Sequence, residues 1–265
     1  MLQLVSPHIE ERAWRTMVKR SDPADSGRVA THWTGHTPAR ISAGVLPEVC
    51  SRHNSPSRAW AVPHIVHSAG QKGNVGIVLA LEEGAHAAAV VLGVARALPT
   101  FTSTSTTIDR EVRILVRPRR GAAPGAEQLQ IVADAVRAAA HLTDQPPSQL
   151  GCDALVDQAH QVATGVGASI EILRADELRE QGLGGLRGVG QAAAQQPALV
   201  VLDHHSQHTP STAWVGKGVI YDTGGLSIKT KTGMPGMKTD MAGAAAVLAA
   251  FEAAVRLSHP RRLTA

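Results

Sequence analysis

The stretch Trp214–Met241, WVGKGVIYDTGGLSIKTKTGMPGMKTDM, limits what this chain can fold into more than any other part of it. Val215, Val219, Ile220 and Tyr221 are β-branched or aromatic and read as a strand over 213–221. The pattern breaks at Asp222-Thr223-Gly224-Gly225, where paired glycines permit a tight backbone path. A polar loop with Lys229, Lys231 and Lys238 follows, and Asp240 stands just before the small-residue run Gly243–Ala250, which reads as a helix. Strand, glycine turn, loop and helix in that order belong to an α/β fold. Such folds place their chemistry on loops at the strand ends.

The lysines make the stretch chemically distinctive. Of 26 basic residues only six are Lys, and four of these fall between 217 and 238. Arg keeps its proton in a protein, whereas Lys can lose it near a cation. A neutral amine can ligate a metal, and a charged one can neutralise a developing oxyanion. Asp222 and Asp240 add two carboxylates, ligands that hard and borderline divalent cations accept. Plainer roles are open to both: Asp222 can close the glycine turn, and Asp240 can cap the helix that follows. A phosphate-binding loop is excluded, because Gly216-Lys217 is followed by Gly218 rather than Ser or Thr. Lys217 and Asp222 are an odd number of residues apart, so in one ideal strand they point to opposite faces. Sharing a metal requires a bulge at Gly218, or Asp222 beyond the strand end at Gly224-Gly225.

The run GKGVIYDTGGLSIK…MPGMKTDMAGAAAVL resembles the metal-binding core of the leucine (cytosol) aminopeptidase family, which are two-metal exopeptidases. Ser51–Ser57 and the MPGMK wording are similar to its aminopeptidase-like branch. Carried over position by position, the resemblance implies that Lys217, Asp222 and Asp240 are metal ligands, with Asp222 bridging. It implies a catalytic role for Lys229 and places Met237 in the pocket for the substrate's first side chain. It also implies two divalent cations, Mn2+ or Zn2+, peptide substrates and a homo-hexamer. The family's later Asn-Thr-Asp-Ala-Glu-Gly-Arg run, which supplies further ligands, is not found before Ala265. The resemblance therefore implies an N-terminal domain plus only the opening portion of a catalytic domain, truncated and without activity as it stands. The sheet of that second domain is then expected to keep an unpaired apolar edge. The alternative from another class is a non-catalytic binding protein with a vestigial peptidase domain.

The rest of the chain reads as α/β throughout, divided into an N-terminal α/β domain over 1–122, a linker helix over 123–146 and the catalytic portion over 147–265. Pro7–Lys19 is expected to be a helix, Asp22–Pro38 a loop, and Ser51–Pro56 a cap for a helix to His67 interrupted by Pro63. Val75–Leu81 reads as a buried parallel strand, 83–97 as a helix through Ala87, Val90, Val91 and Val94, and 110–116 as a strand with one wet face. This β-α-β order implies a parallel pair. After the GAAPG linker come an amphipathic helix through Leu129, Val132, Val136 and Ala139 that ends near Pro146-Pro147, a helix over Cys152–Thr164, a strand over 168–173 and a short helix over 176–180. The glycines of 182–190 read as a packing turn into a helix over 187–195, and 198–202 as a strand paired with 213–221.

Hydrophobic content of 43% provides for real cores, aliphatic ones because aromatics make up 3%. A net charge of +4 with dispersed arginines argues against nucleic acid as a partner. No apolar run reaches the roughly 20 residues a membrane span needs. The N-terminus lacks a secretory pattern, so a cytoplasmic location is expected. Cys50 and Cys152 have no metal or redox spacing, and the thirteen histidines form no HExxH.

Overall fold

The computed structural model describes residues 2–21, 23, 29–70, 73–102, 110–204 and 211–265. It divides into two compact units, Met1–Ala133 and Asp134–Ala265, and the division falls inside one helix.

In unit 1 the elements are α1 (Leu2–Val5), α2 (Glu11–Arg20), β1 (Val29–Trp33), β2 (Arg40–Gly44), α3 (Val62–Ser68), β3 (Val75–Glu83), α4 (Ala87–Ala97) and β4 (Val112–Arg120). β1 and β2 form an antiparallel pair running from Val29↔Gly44 to Trp33↔Arg40, and α2 packs on it through Met17 beside Ile9 and Ala43. β3 and β4 are parallel, Val75 opposite Val112 and Glu83 opposite Arg120, with α4 as the crossover. The residues that marked this helix in the sequence, Ala87, Val90, Val91 and Val94, are all buried.

Three expectations change here. β3 is buried on one face only: Ile77, Leu79 and Leu81 pack on the helices, whereas Gly76, Val78 and Ala80 are exposed. Both helices packed with that cluster, α3 and α4, lie on the same side of the strand pair, so the other face stays wet. Pro63 starts α3 instead of interrupting it, because in a first helical turn its missing N–H has no bond to lose. Ser51–Pro56 therefore caps nothing and forms a local turn, with the Asn54 amide donating to the Ser51 carbonyl. The loop expected over Asp22–Pro38 lies partly outside the described residues, at 22 and 24–28, and its remainder contains β1.

Unit 2 takes in the end of α5 (Ala126–Asp144), then α6 (Cys152–Val166), β5 (Ser169–Leu173), α7 (Ala175–Glu180), α8 (Gly184–Gly190), β6 (Leu199–His204), β7 (Thr212–Ala213), α9 (Ala242–Arg256) and β8 (Leu263–Thr264). The sheet order is β5-β6-β8-β7; β5/β6 and β6/β8 are antiparallel and β7/β8 parallel. Leu142, Ala159, Ala163, Leu202, Met241, Ala245, Phe251 and Leu263 make one buried core, so α5, α6 and α9 all contribute to covering the sheet. Among the described residues no helix is long and apolar enough to cross a membrane.

The second unit also departs from the sequence reading. The expected strand over 213–221 ends at Ala213, and its neighbour is β8, not β6. The Trp214 amide donates to the Thr264 carbonyl, and the residue after it, Val215, is exposed. Leu202 and Ala265 exchange amide-to-carbonyl bonds of 2.8 and 2.9 Å, so β8 is an inner strand and the edges of this sheet are β5 and β7. Glycines 184–190 are helical, and no helix covers 191–195. Pro197 packs on Gly190, where a Cβ would fall 2.3 Å from its ring, and so ends α8 there.

Candidate functional site

Three local devices in unit 2 bring the charged residues of 217–240 together. The first is a close backbone approach. Where the chain leaves β7, Gly216 lies against the first turn of α9, and a Cβ on it would meet the Ala244 Cα at 2.6 Å and the Gly243 carbonyl oxygen at 2.7 Å. A Cβ on Gly243 would in turn meet the Lys217 amide nitrogen at 3.0 Å. Two facing glycines let the segments touch, and the Ala244 amide then donates to the Lys217 carbonyl at 2.9 Å. Lys217 is thereby fixed beside the start of α9, the helix that Asp240 precedes.

The second device is the glycine turn. Gly224 and Gly225 have φ of 90° and 63°, in the left-handed region. The Gly224 amide donates to Asp222 Oδ1 at 2.9 Å, and the Lys229 amide donates to the Thr223 carbonyl at 2.9 Å. The loop closes on itself and returns Lys229 to Asp222. The third is a 3-10 turn over Pro235–Thr239, held by the Met237 amide on the Met234 carbonyl and the Asp240 amide on the Met237 carbonyl. It carries Met237 and ends at Asp240. Asp240 does not cap α9: Met241, almost wholly buried, takes that position.

Two ion pairs result. Lys217 Nζ lies 2.8 Å from Asp240 Oδ1, to which it donates, and 2.7 Å from Oδ2. Lys229 Nζ lies 3.1 Å from Asp222 Oδ2. The Asp222 carboxyl is held below the usual aspartate range, first by the Gly224 N–H, then by the hydrogen bond and charge of Lys229, and finally by the charge of Lys217. Lys217 thus acts electrostatically on both carboxylates, so the four residues form one cluster. Asp240 is the buried member, its side chain 18% exposed against 59% for Lys217. Both Asp240 oxygens, the buried Oδ2 included, lie within 2.8 Å of the Lys217 ammonium, so a metal ion at this carboxylate would compete with that amine. Two carboxylates and an amine suit a hard or borderline divalent ion. Among the described residues no group of three or more His, Cys, Asp or Glu converges, at this site or elsewhere.

A model of the catalytic domain of the cytosol aminopeptidase family matches residues 137–265, and a model of the M17 aminopeptidase N-terminal domain 2 matches residues 15–107. Together they take in most of the chain. The chain belongs to the cytosol aminopeptidase family. Among cytosol aminopeptidases it is 36% identical to a human protein described as probable aminopeptidase NPEPL1, over 95% of this chain and 49% of that protein. The structure of leucine aminopeptidase LAP1 from Caenorhabditis elegans superposes with a TM-score of 0.85 at 33% identity, over 99% of this chain and 53% of that one. The bottromycin maturation enzyme BotP, solved in complex with Mn, superposes at 0.73 with 25% identity, over 97% of this chain and 55% of that one. The chain spans about half the length of the curated relatives it matches.

The sequence reading missed two features of this site. One is the Gly216–Gly243 contact, whose signal was a glycine beside Lys217 and a second one opening the small-residue run. The other is Lys238, whose amine turns away from the ion pairs and donates to the Asp144 carbonyl at 2.6 Å.

Proposed function

We propose that the Lys217, Asp222, Lys229 and Asp240 cluster is the amine-bearing part of a two-metal aminopeptidase centre, and that residues 1–265 hold too few ligands to turn over substrate alone. The observation that carries this reading is the meeting of two carboxylates and two amines in one cluster, with the Asp240 side chain the least exposed of the four. Asp222 and Asp240 would hold the cations together with a neutral Lys217 amine. When bound, divalent cations supply Lewis-acid polarisation of a carbonyl and lower the pKa of a bound water. Lys229, paired with Asp222, would donate to the oxyanion that forms when a peptide carbonyl is attacked. Met237, on the 3-10 turn next to Asp240, would contact the side chain of the substrate's first residue. Peptides with a free N-terminus as substrates, Mn2+ or Zn2+ as the ion, and a hexameric assembly belong to the same proposal. The Mn-bound relative among the structural neighbours supports the choice of ion.

The inactivity of residues 1–265 follows from charge. Two carboxylates already neutralised by lysines attract one divalent ion weakly, and Lys217 must first give up its proton. A binding-only role would call for a free basic groove in unit 1. Its cleft of about 1300 Å³ holds Arg40, Arg58 and Arg113 with Glu48 and Glu82. Each of those arginines is engaged, by Gly70, by Glu48 and Pro56, and by Glu111 respectively.

The test is Mn2+ binding and leucine amide hydrolysis by the purified 265-residue chain. Weak Mn2+ binding that Asp222→Ala abolishes, with no turnover, is expected. Binding equal in the parent and Asp222→Ala sinks the metal reading, and turnover that Lys229→Met abolishes sinks the inactivity.

A further inference from the structure

Four of the six lysines fall in the site segment, and the cluster above accounts for Lys217 and Lys229 only. Lys238 sits on the 3-10 turn between Met237 and Asp240, half-buried, and its Nζ donates to the main-chain carbonyl of Asp144 at 2.6 Å. Asp144 is the last residue of α5. The final carbonyls of a helix have no intrahelical donor and carry its negative pole, so an ammonium there is favoured twice, by hydrogen bonding and by charge. The turn itself has little else to hold it. Its own bonds are the Met237 and Asp240 amides to carbonyls three residues back and the Thr239 hydroxyl to Gly236, and none of its residues is fully buried. On its far side Met241 is locked in the core at the start of α9. Besides its side-chain ion pair with Lys217, the Asp240 backbone is held along the chain by the buried Met241 after it and by the Lys238 anchor before it.

We propose that Lys238 is a positioning residue: its bond to the C-terminus of α5 fixes the turn that carries Met237 and Asp240, and so sets the direction of the Asp240 carboxylate. The metal-binding consequence rests on the function proposed above; the anchoring does not. α5 also belongs to the unit's core through Leu142, so the anchor ties the turn to a rigid element. Lys is suited to this task because its flexible stem delivers one compact charge to a single oxygen.

The experiment compares Lys238→Met, which keeps the apolar stem, with Lys238→Arg, which keeps a donor, in the 265-residue chain. Amide hydrogen exchange is read by NMR at Met237 and Asp240, with Leu248 in α9 as an internal reference. In Lys238→Met the two turn amides are expected to exchange about three- to tenfold faster, the loss of one charged bond at a helix end. Leu248 should be unchanged, and Lys238→Arg should restore most of the protection. Mn2+ affinity should fall in Lys238→Met, and Lys238→Met should add nothing in an Asp240→Asn background, because the effect passes through Asp240. Unchanged exchange at Met237 and Asp240 would overturn the proposal. So would acceleration that spreads equally to Leu248, which would mark a general loss of stability. If Asp240→Asn itself leaves Mn2+ affinity unaltered, the metal reading fails, and the exchange result alone decides the role of Lys238.

Discussion

Gly216→Ala is the smallest change that should open the site. The added Cβ would stand 2.6 Å from the Ala244 Cα, 2.7 Å from the Gly243 oxygen and 2.8 Å from the Ala244 nitrogen. All three are backbone atoms of a packed helix, so no side chain can swing aside. Ordinary contact begins at 3.4 Å, so the segment must retreat by close to an ångström. Forcing a methyl into such a contact costs about 1–3 kcal/mol. The retreat also breaks the 2.9 Å bond from the Ala244 amide to the Lys217 carbonyl, about 1 kcal/mol more. The Lys217–Asp240 pair adds little to this, because Lys217 is mostly exposed. The expected loss is about 2–4 kcal/mol, a fall in Tm of roughly 8–16 °C at about 4 °C per kcal/mol for a unit of this size. Gly218→Ala is the control: its Cβ would meet the Ala244 methyl at 3.5 Å, an ordinary contact. Trp214 is the one tryptophan in unit 2, so urea unfolding followed by its emission, with Trp14, Trp33 and Trp60 changed to Phe, reports on that unit alone. Gly216→Ala and Gly218→Ala variants that unfold at the same urea concentration would refute the close-contact argument.

Two further outcomes are expected. In a form carrying the rest of the family's catalytic domain, Asp222→Ala should empty both metal sites and Asp240→Ala chiefly one; metal analysis showing a full site in Asp222→Ala would remove the bridging role. The Asp222 carboxylate is depressed, so its contribution to the folded turn is complete above the ordinary aspartate range and is lost only as pH falls through its lower folded value. Its NMR titration should have a midpoint below that of an unstructured reference peptide. Because the Gly224 N–H is the largest single cause, part of that depression should survive Lys229→Met; full reversion would make the lysine the sole cause.

Local pattern carried the first unit's β-α-β core, since the residues that recur every three or four positions along α4 are those that α3 and the two strands bury. The segment from Asp222 to Gly225 was equally readable, because glycine takes up the positive φ at Gly224 and Gly225 without strain. What failed was anything decided by a distant partner. Val215, Val219 and Ile220 have strand chemistry, yet whether they pair depends on a partner strand distant in sequence, and no window around 215 contains that fact. Asp240 looked equally fit as a helix cap or a ligand; its meeting with Lys217 depends on two glycines separated in sequence, and that contact is visible only in space. Lys238 read as one more solvated lysine because its partner, the Asp144 carbonyl, is a backbone atom that carries no sequence signal.

The place of β8 sets an order of events during folding. Among the described residues β8 lies between β6 and β7 in the sheet, and the β6–β8 pairing is clasped by Arg262 and Asp203, fifty-nine positions apart in sequence, with Nε 3.0 Å from Oδ1. Lys217, Asp222, Lys229 and Asp240 all lie inside the loop this clasp closes. α6, β5 and β6 follow one another closely and can associate early, whereas the clasp must wait for a long loop to close, a step slowed by lost chain entropy. The ion-paired cluster should therefore be among the last parts of the unit to take shape. Until it does, its lysines and aspartates remain on a mobile loop, where metal ions meet single carboxylates in place of an assembled centre.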